Sequence, residues 1–254
     1  MLRVERDGAV AVWTLDRPET KNALNWELMQ ALLHALDEAA EDRSLRAVVL
    51  TGAGNAFVSG GDLRELRGVT TPEETNKFAD AGEDLCRRIE DLPIPVIAAI
   101  PGPAFGGGAE LALSCDLRIA DERARISFKQ VRMGVTTAWG TVPRLLSIVG
   151  YSCAARLLYT GHEVGAGAAR RMGLVDNVAE RGGAVAGALA WASDIVEASP
   201  AAVTGMKTLL RAARAPGAAA LRAAERAHFV ATWTGAEHAE AIAAYFDRRR
   251  PVWK

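Results

Sequence analysis

Cysteine is scarce in this sequence: Cys86, Cys115 and Cys153 are the three in 254 residues, and no two form a Cys-x-x-Cys pair. That argues against a disulfide framework and a zinc knuckle, and it predicts a reducing compartment. Net charge is scarce too, at −1 from 30 basic and 31 acidic side chains. A nucleic-acid binder that works through bulk electrostatics is therefore not expected. Long apolar runs are missing, since "PVIAAIPGPAF" is broken by proline and glycine and is too short to span a bilayer. The opening "MLRVERDGAVAVWTLDRP" carries neither an apolar signal core nor an amphipathic basic leader. These absences predict a cytoplasmic protein with no membrane contact. His34, His162, His228 and His238 have no ligand spacing between them, so no metal site is expected.

What is present is an ordinary globular composition, 50% hydrophobic and 24% charged, enough for one large domain or a domain with a modest appendage. Two alternating runs flank Asp7-Gly8, a hairpin signal. Leu28, Leu32 and Leu36 make a helical stripe with Asn25 as its N-cap. "RAVVLTG" reads as a buried strand that ends in a glycine-rich loop. A polar helix is predicted from about Pro72 to Leu92, opened by proline and two glutamates. "PVIAAIPG", "DLRIAD" and "ARISF" read as further strands. From about Trp139 onward the pattern is helix after helix. The helical tail reads equally as a second domain, a lid or an oligomerisation element. No fixed-period repeat is present.

One stretch is costly. Gly106, Gly107 and Gly108 open a short apolar helix, although each interior glycine loses about 1 kcal/mol against alanine. The first turn of a helix carries unpaired N–H groups and partial positive charge, and glycine leaves them open to an anion. The triplet is therefore a candidate site for a negatively charged oxygen. Glu110 stands three residues beyond Gly107 and projects from the same face. A backbone anion site beside an acid–base group suits carbonyl chemistry. The competing reading is that the glycines simply permit close helix–strand packing. A dinucleotide role is poorly supported, because "GAGNAF" places Phe57 where a third glycine belongs. Neither a phosphate-binding P-loop nor a Gly-x-Ser-x-Gly elbow occurs.

A second glycine loop, "AFVSGGDL", follows its own strand. The segments "RPETKNAL", "AVVLTGAGNAFVSGGDL", "PVIAAIPGPAFGGGAELALSCDLRIA", "MGV…WGTVPRL" and "FDRRRPVWK" together resemble the crotonase, or enoyl-CoA hydratase/isomerase, family over essentially the whole chain. The resemblance implies an α/β fold, a spiral of ββα units over residues 1–195, with a C-terminal helical trimerisation or lid region over 196–254. It implies an acyl-CoA thioester substrate, no tightly bound cofactor and no metal, and a homotrimer or dimer of trimers. It also implies that the N–H groups of Gly61 and Gly107 hold the thioester oxygen and that Glu110 is the first catalytic glutamate. Residues Lys21, Ala23, Val58, Ser59, Gly60, Asp62 and Gly106 are expected near coenzyme A. Trp253 and Lys254 are expected to reach the nucleotide end of a neighbouring subunit's coenzyme, and Trp139 is a candidate for the acyl pocket or for the core.

The chain departs from the hydratase pattern at one position. Aligning "FKQVRMGV" puts Gln130 where hydratases carry their second glutamate, and an amide exchanges no proton at neutral pH. The expected function is hydration of a 2-enoyl-CoA by Glu110 with Gln130 positioning. The alternatives are decarboxylation of a methylmalonyl- or ethylmalonyl-CoA-type thioester, suggested by the neutral Gln130, and a non-catalytic acyl-CoA- or RNA-binding protein on the same scaffold.

Overall fold

A computed structural model describes residues 1–214, 218–249 and 251–252 of the chain. Its first strands, β1 (Leu2–Asp7) and β2 (Val10–Leu15), form the antiparallel hairpin expected around Gly8. From β2 onward the sheet is parallel. β3 (Ala47–Gly52), β4 (Val96–Ile100), β6 (Leu117–Asp121) and β9 (Asn177–Ala179) complete the order β1-β2-β3-β4-β6-β9. A second sheet joins β5 (Pro103–Phe105), β7 (Arg125–Ser127) and β8 (Val164–Gly165) in that order.

Alternate strand residues enter two separate cores, which is why the strands read as unbroken apolar runs. Val48, Leu50, Ala98 and Ile100 face the main core beneath α1 (Trp26–Glu41), α3 (Pro72–Asp91) and α4 (Gly107–Ser114). Val49, Ile97, Ala99 and Ile119 face the opposite side, where Ala184, Ala188 and Ala192 of α7 (Ala184–Glu197) cover them. The predicted Asn25 cap is present, and α3 carries a cap that the sequence reading did not name. Asn25 accepts from Leu28 N–H at the start of α1, and Thr71 with Glu74 forms a capping box on α3.

Beyond residue 138 the pattern is helical, with two short exceptions. β8 and β9 are two and three residues long, too short for periodicity to mark. The first of these helices is α5 (Thr141–Thr160), interrupted at Gly150, where φ is 70°. Then come α6 (Ala166–Arg171), α8 (Pro200–Arg214), α9 (Ala218–Trp233) and α10 (Ala236–Phe246). α8 is tied to the sheet by Lys207, whose Nζ meets Asp116 at 2.8 Å and also the carbonyls of Ile89 and Ile94. α9 packs on α3 and α5, and Trp233 Nε1 donates to Val69 O at 2.8 Å. No helix among the described residues is long and apolar enough to cross a membrane.

Candidate functional site

Two loops end their strands at one cavity of about 1000 Å³. The first runs from β3 to α2 (Leu63–Leu66) and contains Ser59, Gly60, Gly61 and Asp62. A neighbouring loop at 17–24 holds it in place. Leu24 N–H donates to Gly60 O and Asp62 N–H donates to Leu24 O, each at 2.8 Å. This parallel bridge grips both neighbours of Gly61 and turns Gly61's own N–H away. Ser59 N–H and Oγ donate to the carbonyls of Lys21 and Thr20. Arg17 pairs with Asp62 at 3.0 Å and donates to Ala23 O. Buried Asn22 receives Arg17 N–H and donates to the carbonyls of Ala53 and Ala56. Lys21 and Asn22 sit at φ 54° and 58°, a left-handed conformation that these bonds sustain.

The second loop leads from β5 into α4. Gly106, at φ 52°, is the N-cap and Gly107 the first helical residue, so the Gly107 N–H has no intrahelical acceptor. Among the described residues, neither this N–H nor that of Gly61 is taken up by a protein acceptor. Both glycines line the cavity. The glycine triplet serves packing as well as openness. A Cβ on Gly108 would lie 2.3 Å from Val58 O, and one on Gly107 would lie 2.6 Å from Trp139 Cη2.

Glu110 is 4% exposed and borders the cavity. Its Oε2 accepts from Gln130 Nε2 at 2.8 Å. Its Oε1 accepts from the Thr141 hydroxyl, with the N–H groups of Ala138 and Trp139 at 3.3 Å. A carboxylate, an acceptor alone, suits this ring of donors. Gln130 lies on the 3-10 turn Lys129–Met133, and its Oε1 is buried with no partner among the described residues. That leaves an acceptor beside the Glu110 carboxylate, where a water O–H or a substrate O–H can bond.

The cavity brings together Glu110, Gln130, Gly61 and Gly107 with Lys21, Ala23, Ser59, Gly60, Asp62, Gly106 and Trp139. Val58 is fully buried behind the second loop and lies outside the lining. Trp253 and Lys254 lie outside the described residues. Trp139 answers to both of its readings, being 2% exposed yet part of the wall. Sequence reasoning passed over Thr141, although "WGT" sits beside Trp139. It also passed over Phe78, Phe229, Trp233 and His238, whose rings complete the wall from α3, α9 and α10. Burial pushes the Cys86 thiol up to about 12, so its place 4.0 Å from Glu110 O gives it no nucleophilic role.

A sequence profile described as enoyl-CoA hydratase/isomerase matches residues 5–254. The short-chain-enoyl-CoA hydratase of Clostridium acetobutylicum is 36% identical over 97% of this chain and 95% of its own. The 2,3-dehydroadipyl-CoA hydratase of Escherichia coli is 34% identical over 100% of this chain and 98% of its own. An enoyl-CoA hydratase/isomerase from Xanthobacter autotrophicus Py2 superposes with a TM-score of 0.90 at 31% identity, covering 97% of this chain and 93% of that one.

Proposed function

The chain belongs to the enoyl-CoA hydratase/isomerase family and has its fold, and on that premise we propose that it adds water to a 2-enoyl-CoA through the cavity between its two glycine loops. The observation that carries this reading is the construction of α4. One short helix presents a free N–H at Gly107 and, one turn on, the buried carboxylate of Glu110.

The thioester oxygen accepts from the N–H groups of Gly61 and Gly107. As water attacks C3, the carbonyl of the conjugated thioester gathers charge, and a preorganised donor of this kind is worth about 3 kcal/mol of barrier. The water oxygen bonds C3 and its departing proton passes to Glu110. The electron pair of the C2–C3 double bond moves into the enolate, and Glu110 returns the proton to C2. Gln130 exchanges no proton. Its Nε2 holds Glu110, and its Oε1 accepts the O–H that the water keeps.

Coenzyme A fits the cavity mouth beside Lys21, Ala23 and Ser59, with no separate cofactor. Residues 196–254 are assigned to subunit association in a homotrimer or a dimer of trimers, since Met206, Leu209 and Leu210 on α8 stand exposed. Decarboxylation is less well supported, because an ionised Glu110 in the cavity would repel a substrate carboxylate.

Turnover of crotonyl-CoA against methylmalonyl-CoA and ethylmalonyl-CoA tests the proposal. Hydration of crotonyl-CoA alone is expected. Release of carbon dioxide from either malonyl thioester, with crotonyl-CoA untouched, would replace this reading with the decarboxylase one.

A further inference from the structure

The wall beyond the two glycine N–H groups is aromatic and ends on an imidazole. A Cβ on Gly61 would meet Leu66 Cδ1 at 2.6 Å and Phe78 Cζ at 3.6 Å, so these side chains stand directly against the first loop. Phe78 lies 5.7 Å from Trp139 and 5.5 Å from Trp233, measured between ring centroids. Trp233 in turn lies 4.4 Å from the His238 ring, with 38° between the planes. Phe78, Trp139 and Trp233 are each at most 7% exposed, so the wall is closely packed.

His238 breaks the apolar character of this wall. It is 6% exposed, it lines the cavity, and its Nδ1 lies 2.6 Å from Met133 O. A carbonyl oxygen only accepts, so Nδ1 carries the proton and Nε2 of the neutral ring is an acceptor. Among the described residues no protein donor reaches Nε2. Burial holds the ring below its ordinary pKa and so favours the neutral form, against a smaller opposing effect of the Met133 bond. An acceptor on the cavity wall without a protein donor is open to a hydroxyl on the bound ligand, which would replace water there.

We infer that His238 is a specificity-determining residue of the acyl pocket, its Nε2 accepting a hydrogen bond from a hydroxyl at the far end of a short acyl group. The preferred thioesters are then short 2-enoyl-CoAs with a distal hydroxyl, ahead of plain alkyl ones. This rests on the hydratase reading above.

The test uses the full chain and isosteric pairs in which a hydroxyl replaces the terminal methyl. The pairs are 2-pentenoyl- with 4-hydroxy-2-butenoyl-CoA, 2-hexenoyl- with 5-hydroxy-2-pentenoyl-CoA, and 2-heptenoyl- with 6-hydroxy-2-hexenoyl-CoA. In at least one pair kcat/KM should favour the hydroxyl member by about tenfold or more. His238→Leu should abolish that ratio, and His238→Gln, which keeps an acceptor oxygen, should retain part of it. If the leucine variant fails to fold, the wild-type ratio decides alone. Turnover of every pair without a hydroxyl preference, or a preference that survives His238→Leu, overturns the inference and leaves the hydratase reading standing. A preference for glutaconyl-CoA over both members also overturns it, because a carboxylate calls for imidazolium rather than an acceptor. No turnover of any thioester would overturn the hydratase reading, and this inference with it.

Discussion

Gln130 donates its side-chain amide to Glu110 at 2.8 Å, so one carboxylate and its neutral partner stand where the hydratase pattern has two glutamates. The proton traffic of the proposed reaction then falls on Glu110 alone. Glu110→Gln should lower kcat for crotonyl-CoA by about 10²–10⁴-fold, the usual contribution of a general acid–base group, with KM nearly unchanged. Steady-state kinetics check this, and an unaltered kcat would remove Glu110 from the chemistry.

Restoring the second carboxylate gives the converse. Gln130→Glu places two acidic groups within hydrogen-bond distance, so they should titrate as a coupled pair sharing one proton. Hydration should rise by about tenfold, part of what an added acid–base group supplies. The kcat–pH profile should also gain an ionisation that the wild type lacks. A flat response in both measurements would show that this position does not face the substrate.

The last two glycines of the triplet separate function from folding. Gly107→Ala brings a methyl to 2.6 Å from Trp139 Cη2, an outer ring atom, so either the ring or the N–H beside it must shift. The expected loss is about 10²–10³-fold in kcat, the cost of one misplaced oxyanion donor, and Trp139→Phe in the same chain should recover part of it. Gly108→Ala instead meets Val58 backbone at 2.3 Å, which has little room to yield. That variant should lose stability by denaturant titration. Equal effects of the two variants on kcat and on stability would contradict this division.

These contrasts show which features were legible in the sequence. The hairpin at Gly8, the Asn25 cap and the glycine-opened helix with Glu110 each depend on chemistry within a few residues, and the structure has all three. Openness and tight packing are both reasons for glycine, and the letters do not say which applies at 107 and which at 108. Phe229, Trp233 and His238 are brought to the cavity by packing of α9 and α10 against elements more than ninety residues earlier, such as Met133 and Phe78. A helix stripe of rings looks the same whether it meets a core or a ligand. β9 forms because the β6 edge offers partners to Asn177–Ala179, a tertiary cause with no local signal.

His238 also links stability to pH. Its pKa is lowered from 6.5 by burial, so below that value the unfolded chain binds the proton more readily than the folded one. Stability should therefore fall as pH drops from about 6.5 through the folded value, and level off below it. Thermal melts between pH 7.5 and 5 should show this slope in the wild type and a shallower one in His238→Gln. Parallel slopes in the two proteins would show that the ring is not titrating as its burial dictates.

Arg144 holds the other side of the Glu110 site. Its guanidinium pairs with both oxygens of Glu90 at 2.8 and 2.6 Å and donates to Trp139 O, fixing the segment whose N–H groups face Glu110 Oε1. Arg144→Leu leaves Glu90, at 19% side-chain exposure, without this partner, and should cost about 3 kcal/mol of stability in denaturant titrations. It should also lower kcat by freeing the 138–139 backbone from its anchor. Adding Glu90→Leu removes the stranded charge and should restore most of the stability. It does not restore the bond to Trp139 O, so kcat should stay low. Recovery of both quantities in the double variant would mean that Arg144 acts on catalysis only by holding the fold together.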